Sequence, residues 1–144
     1  MSPSKRLTPV RRFAQSREHK AARHMGQSHK TLQEEEAKLN QLKQYHQEYL
    51  RRFDAAARKG IGAPQLQEYR AFLEKLDQAI RQQRDVVSAS MADHSNNKDN
   101  WRQKHTRTQA IDKVVDRYRR QERANEGRHE QKESDDRSQR STKN

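Results

Sequence analysis

Cysteine is absent from this 144-residue chain, which excludes disulfides and thiolate metal ligation and fits a reducing cytoplasm. Glycine occurs four times and proline three times, so little of the sequence is built for turns. Hydrophobic residues make up 28% and aromatic residues 6% of the chain, too little apolar surface for a thick globular core. No apolar run approaches the roughly 18 residues that span a bilayer, so a soluble protein is expected. The basic stretch with Lys5, Arg6, Arg11 and Arg12 is not followed by the apolar segment of a secretory signal, so Phe13 onward reads as mature protein.

What is abundant is Gln, Glu, Lys, Arg and Ala, the composition of a long helix or coiled coil, with 36% charged residues overall. The net charge of +12 forecasts an acidic partner. Its distribution is uneven: residues 1–30 carry eight basic residues and one acid, residues 31–100 eleven of each, and residues 101–144 thirteen basic residues and eight acids. The middle is neutral and both ends are basic.

Lys59-Gly60-Ile61-Gly62-Ala63-Pro64 is a helix-stop-helix signal, because glycine closes a helix in the left-handed conformation and proline suits the first turn of the next. Ala63 is a poor cap for that second helix. Beyond the loop, positions 66, 69, 73, 76, 80, 83, 87, 90, 94, 97, 101, 104, 108, 111, 115 and 118 keep an unbroken three-four spacing. One row of it, Leu66, Leu73, Ile80, Val87, His94, Trp101, Thr108 and Val115, is the more apolar, which predicts a left-handed coiled coil. Before the loop, Met25, Leu32, Leu39, His46 and Phe53 form one row at sevens, and Ser28, Glu35, Leu42, Tyr49 and Ala56 form the other.

The fold class read from these features is all-α, a long antiparallel two-helix coiled-coil hairpin. Residues 1–6 are expected to be disordered, 7–58 to form arm one, 59–64 the turn and 65–124 arm two. Residues 125–144, without a Phe, Tyr, Trp or aliphatic side chain, are expected to be a polar disordered or fraying tail. Folding at Ile61 pairs residues whose numbers sum to about 122, so Phe53 should meet Tyr69, Tyr49 meet Leu73, His46 meet Leu76, and Glu18 pair with Lys104. The seam should be best near the loop and poorest in the middle, where Ser28, Glu35, Gln83, Ser90 and Asn97 interrupt it.

The hairpin would gather both basic ends at one pole. There Arg6, Arg11, Arg12, Arg17, Arg117, Arg119, Arg120 and Arg123 accompany Leu7, Val10, Ile111, Val115 and Tyr118, a mixture suited to docking as well as to solvation. Near the loop a second apolar line, Phe72, Ala79 and Val86 at sevens with Tyr45 from arm one, borders one edge of the seam, either widening the core or receiving a partner. Glu36, Lys43, Arg70, Asp77 and Arg84 line the other edge, which reads as an ordinary wet flank.

Seven histidines raise the question of a metal, but His19, His24 and His29 are five apart and share no helical face, and His46 and His94 read as seam fillers, so no metal or cofactor is expected. The Gly60/Gly62 stretch lacks the Lys-Ser/Thr of a phosphate cradle. A thin helical pair offers no pocket to desolvate an acid or base, so no catalytic residue is expected and the chain does not read as an enzyme. Two other classes remain open on the residues alone: a basic coiled coil binding nucleic acid through phosphates, and a structural oligomeriser with an intermolecular seam.

Gln44-Tyr45-His46-Gln47-Glu48-Tyr49, the Gly60-Ile61-Gly62 turn, the run from Gln65 to Gln83 with its Tyr69, Phe72 and Leu73, and Trp101 with Asp116-Arg117-Tyr118-Arg119 resemble the flagellar export protein FliJ family. The resemblance covers roughly residues 5–130. It implies a component of the flagellar type III export apparatus with no nucleic-acid partner, in the bacterial cytoplasm and peripheral to the membrane through protein contacts only. The end bearing both termini would engage the export ATPase ring, here through Arg11, Arg12, Arg117, Arg119 and Arg120. The other part would contact the cytoplasmic linker of the export gate through Leu42, Tyr45, Tyr49, Phe72, Leu76, Ala79 and Gln83, and would also meet export chaperones.

Overall fold

Ser2 and Pro3 begin the first helix. The Ser2 carbonyl accepts the Arg6 amide at 3.1 Å, and Pro3 follows at the first helical position, where a missing N–H costs nothing. The computed structural model describes residues 1–142 as two helices, α1 over Pro3–Lys59 and α2 over Ala63–Thr142. The expected disorder over residues 1–6 is therefore replaced by helix from Pro3. The physical reason lies across the seam: the Ser4 amide and hydroxyl donate to the Glu122 carboxylate at 3.1 and 2.7 Å, so an acid from α2 caps the positive end of α1. α1 runs on through Pro9, because residues on both sides of it, Ser4, Leu7, Arg11 and Ala14, lie against α2.

The reversal occupies Gly60–Gly62. Gly60 has φ of 88° and its amide reaches the Ala57 carbonyl at 3.2 Å, closing α1 where only glycine is unstrained. α2 is capped by Gly62, whose carbonyl accepts the Leu66 amide at 3.1 Å, so the weakness of Ala63 as a cap does not matter.

The helical pair divides into two compact units, Met1–Ala21 with Asn100–Asn144, and Ala22–Asp99. In the second, every position of both heptad rows is buried or half-buried, with Leu76, Ile80 and Val87 at 7, 8 and 9% exposure. Cross-helix partners follow the register set by the turn: Phe53 with Tyr69, Tyr49 with Phe72, Glu35 with Gln83, Ser28 with His94. In the first unit the same register joins Glu18 to His105 and Arg11 to Asp112. Its seam contains Val115 and Ala21, the two most enclosed side chains described, at 1 and 3% exposure, with Thr108 and Ala14 close behind.

Burial therefore does not favour the loop end, as expected from hydrophobicity. Two helices cover an alanine or threonine completely, whereas Phe53, Tyr69 and Leu73 are too large for such a thin pair and stay half-buried. The polar middle is also better held than expected, since Ser28 is buried and bonded on both sides.

Residues 125–142, expected to be a disordered or fraying tail, continue α2 as a fully exposed helix; residues 143 and 144 lie outside the described residues. Pairs one turn apart act in place of packing there, with His129 to Glu133 at 3.1 Å and Gln131 to Asp135 at 3.4 Å.

Candidate protein-docking surfaces

In the Ala22–Asp99 unit, four aromatic side chains from the two helices interlock. Tyr49 lies 4.3 Å from Phe72 and 5.3 Å from Tyr69, ring centre to ring centre, and Tyr45 tilts against Phe72 at 6.1 Å and 60°. Tyr45 is half exposed while Tyr49, Phe72 and Ala79 are half-buried, so Tyr45 presents the cluster to solvent and the others brace it. Val86 extends the same apolar line at 43% exposure. Beside it a groove of about 350 Å³ is lined by Lys38, Gln41, Leu42, Tyr45 and Gln83.

Two of the residues assigned to gate contact by resemblance sit differently. Leu76 is enclosed in the seam, and the Gln83 amide donates inward to the Glu35 carboxylate and carbonyl at 2.6 and 3.0 Å. That bond, more than Lys38 nearby, holds the Glu35 carboxyl below its ordinary range against the opposing effect of burial. On the opposite edge, Lys43, Asp77, Arg81 and Arg84 border a second groove, and His46 reaches Asp77 at 3.0 Å instead of lying against Leu76 alone.

In the other unit, Arg12, Arg117, Arg119 and Arg120 are exposed, and Arg117 and Arg120 flank a groove with Lys113, Asp116 and Gln121. Arg11 differs: its Nε lies 2.7 Å from Asp112 Oδ1 in a half-buried contact that is a close ion pair without an aligned hydrogen bond. Of the apolar residues expected at this pole, Val115 is enclosed and Leu7, Ile111 and Tyr118 are half-buried, leaving Val10 exposed. The exposed apolar groups that were not foreseen are Phe13, 61% exposed with the Arg17 guanidinium 5.6 Å above its ring, and Val114. Extending the row of Ser28 back by sevens would have placed Ala21 and Ala14 in the seam and Phe13 beside it, on the surface.

Glu18 binds His105 Nδ1 at 2.6 Å, not Lys104, and His105 stacks on Trp101 at 4.9 Å and 13°. The His105 hydrogen bond is the main cause holding the Glu18 carboxyl below its ordinary range; at Glu122 the Ser4 hydroxyl and amide do the same. Lys104 occupies the seam row itself, so the side chain one residue on is the one that reaches sideways to a carboxylate.

Among the described residues no helix is long and apolar enough to cross a membrane, and no three His, Cys, Asp or Glu side chains gather into a metal-binding group. The family model described as flagellar FliJ protein matches residues 3–144. No curated protein and no solved structure matches the chain. Matched along almost its whole length, this all-helical chain belongs to the flagellar FliJ protein family, with a role in flagellar protein export.

Proposed function

We propose that this protein couples the export ATPase to the membrane export gate and escorts export chaperones, contributing no catalytic residue of its own. The supporting observation is that its two units carry different recognition chemistry. One offers exposed arginines, Arg12, Arg117, Arg119 and Arg120, and an exposed Phe13 under the Arg17 guanidinium; the other offers the braced Tyr45 edge, and residues 31–100 are neutral overall. Exposed arginine suits an acidic protein surface, and a rigid tyrosine beside a groove suits an inserted side chain.

Tyr45 is the cleanest probe of the gate assignment, because Phe72 also braces Tyr49 and its loss would disturb the fold. Tyr45→Ala should leave helicity intact while weakening binding to the gate's cytoplasmic domain at least tenfold, about 1.4 kcal/mol or more, and reducing motility. Unchanged gate binding would remove Tyr45 from the interface. Reversing Arg12, Arg117, Arg119 and Arg120 together should abolish stimulation of the ATPase, with Arg11 left in place because it holds Asp112. An unaltered ATPase rate would refute the basic-surface assignment.

A further inference from the structure

We propose that His29 of α1 and His94 of α2 form a two-histidine chelate for a late first-row transition-metal dication, a clasp across the polar middle of the Ala22–Asp99 unit. Histidines compared along one helix share no face, but these two are brought together from opposite helices. Their ring centres lie 5.2 Å apart at an interplanar angle of 47°, a tilted approach and not a stack. A metal–nitrogen bond of about 2.0–2.1 Å, with roughly 1.2 Å more from ring nitrogen to ring centre, puts each centre about 3.2 Å from a shared ion; a tetrahedral angle then separates the centres by about 5.2 Å. The observed spacing is one that a shared tetrahedral ion accommodates.

The hydrogen bonding around His94 selects the right form of the ring. The Ser28 hydroxyl, buried in the seam, donates to the Met25 carbonyl at 2.9 Å. It has one proton, so toward His94 Nδ1, 3.1 Å away, it accepts. Nδ1 therefore carries a hydrogen, and in the neutral ring the lone pair is on Nε2, the nitrogen left for a ligand. A metal-binding histidine characteristically has its other nitrogen fixed in this way. His29 is exposed and so is accessible from solvent.

Imidazole pairs suit Zn²⁺, Ni²⁺ and Cu²⁺ and not the hard cations. Asp93, the neighbouring carboxylate, accepts from Asn97 at 3.4 Å and is not counted among the ligands. With no third protein ligand gathered there, water fills the remaining positions, which makes the site a modest, exchangeable clasp. Its effect would be to join the helices where Ser28, Ser90 and Asn97 supply little apolar contact.

The test uses the full chain and Zn²⁺ alone, titrated by calorimetry at pH 7.5 with helicity followed by circular dichroism. The native protein should bind one Zn²⁺ saturably and unfold at a higher temperature in its presence. His29→Gln, which leaves the seam untouched, should weaken binding by about tenfold or more, and Ser28→Ala should weaken it by about tenfold while keeping native helicity. His19→Gln with His24→Gln should bind as the native chain does. The site is overturned if His29→Gln retains native affinity or the native chain shows no saturable binding, results that would leave the two rings a simple tilted contact. Native affinity in Ser28→Ala would overturn the positioning role of Ser28.

Discussion

Glu18, Glu35 and Glu122 are carboxylates set at the seam of a thin helical pair, and each survives there by receiving a hydrogen bond from the opposite helix: from His105, Gln83 and Ser4. A seam polar group without such a partner would lose its water and gain nothing. Because all three are held below the ordinary glutamate value of 4.5, the folded chain favours their charged forms. Their contribution is complete above that value and is lost as pH falls through the lower pKa values of the folded state. Thermal unfolding should therefore move to lower temperature between about pH 5 and pH 3. Replacing all three by glutamine should make that fall shallower, since glutamine does not titrate. An identical acid slope in the triple variant would show that other carboxylates govern the loss. Trp101, stacked on His105, gives a local optical report of the first of these pairs.

At the scale of the helices, two glycines should respond to alanine with opposite signs. Gly60 has φ of 88°, where a Cβ costs about 1–2 kcal/mol, so Gly60→Ala should destabilise by that amount. Gly26 lies inside α1 with open space where a Cβ would stand, so Gly26→Ala should stabilise by about 0.5–1 kcal/mol. Chemical denaturation of both variants checks the pair of signs; destabilisation by Gly26→Ala would mean that its backbone is not free to accept alanine. The same two features mark how much of the fold was legible. Glycine spacing located the reversal, and all sixteen positions of α2 named by the three-four spacing are buried or half-buried, because periodicity records which side a residue faces. It does not record how completely a partner covers that side. Hence Val115, read both as a seam position and among the apolar residues of the basic pole, is enclosed, whereas Phe13, outside both rows, is exposed. Composition was equally silent on the ends: the helix at Ser4 depends on Glu122, 118 residues away, and the polar stretch beyond Arg123 depends on pairs one turn apart.

For the molecule as a whole, the separation of charge is the property that a single experiment can expose. Residues 31–100 balance eleven basic groups against eleven acids, whereas residues 1–30 and 101–144 hold the entire excess of +12. A surface of exposed arginines attracts its partner through a field that salt screens, with a Debye length of about 10 Å at 0.1 M and about 3 Å at 1 M. The proposed contact at the Tyr45 edge would be apolar, which salt does not weaken. If the proposed division of labour holds, raising salt from 0.05 to 0.5 M should slow association with the ATPase by an order of magnitude or more, while association with the gate changes little. Kinetic binding measurements with each isolated partner read the two dependences separately. Equal salt sensitivity for both partners would mean that both use the basic residues, and the assignment of distinct chemistry to the two units would fall with it.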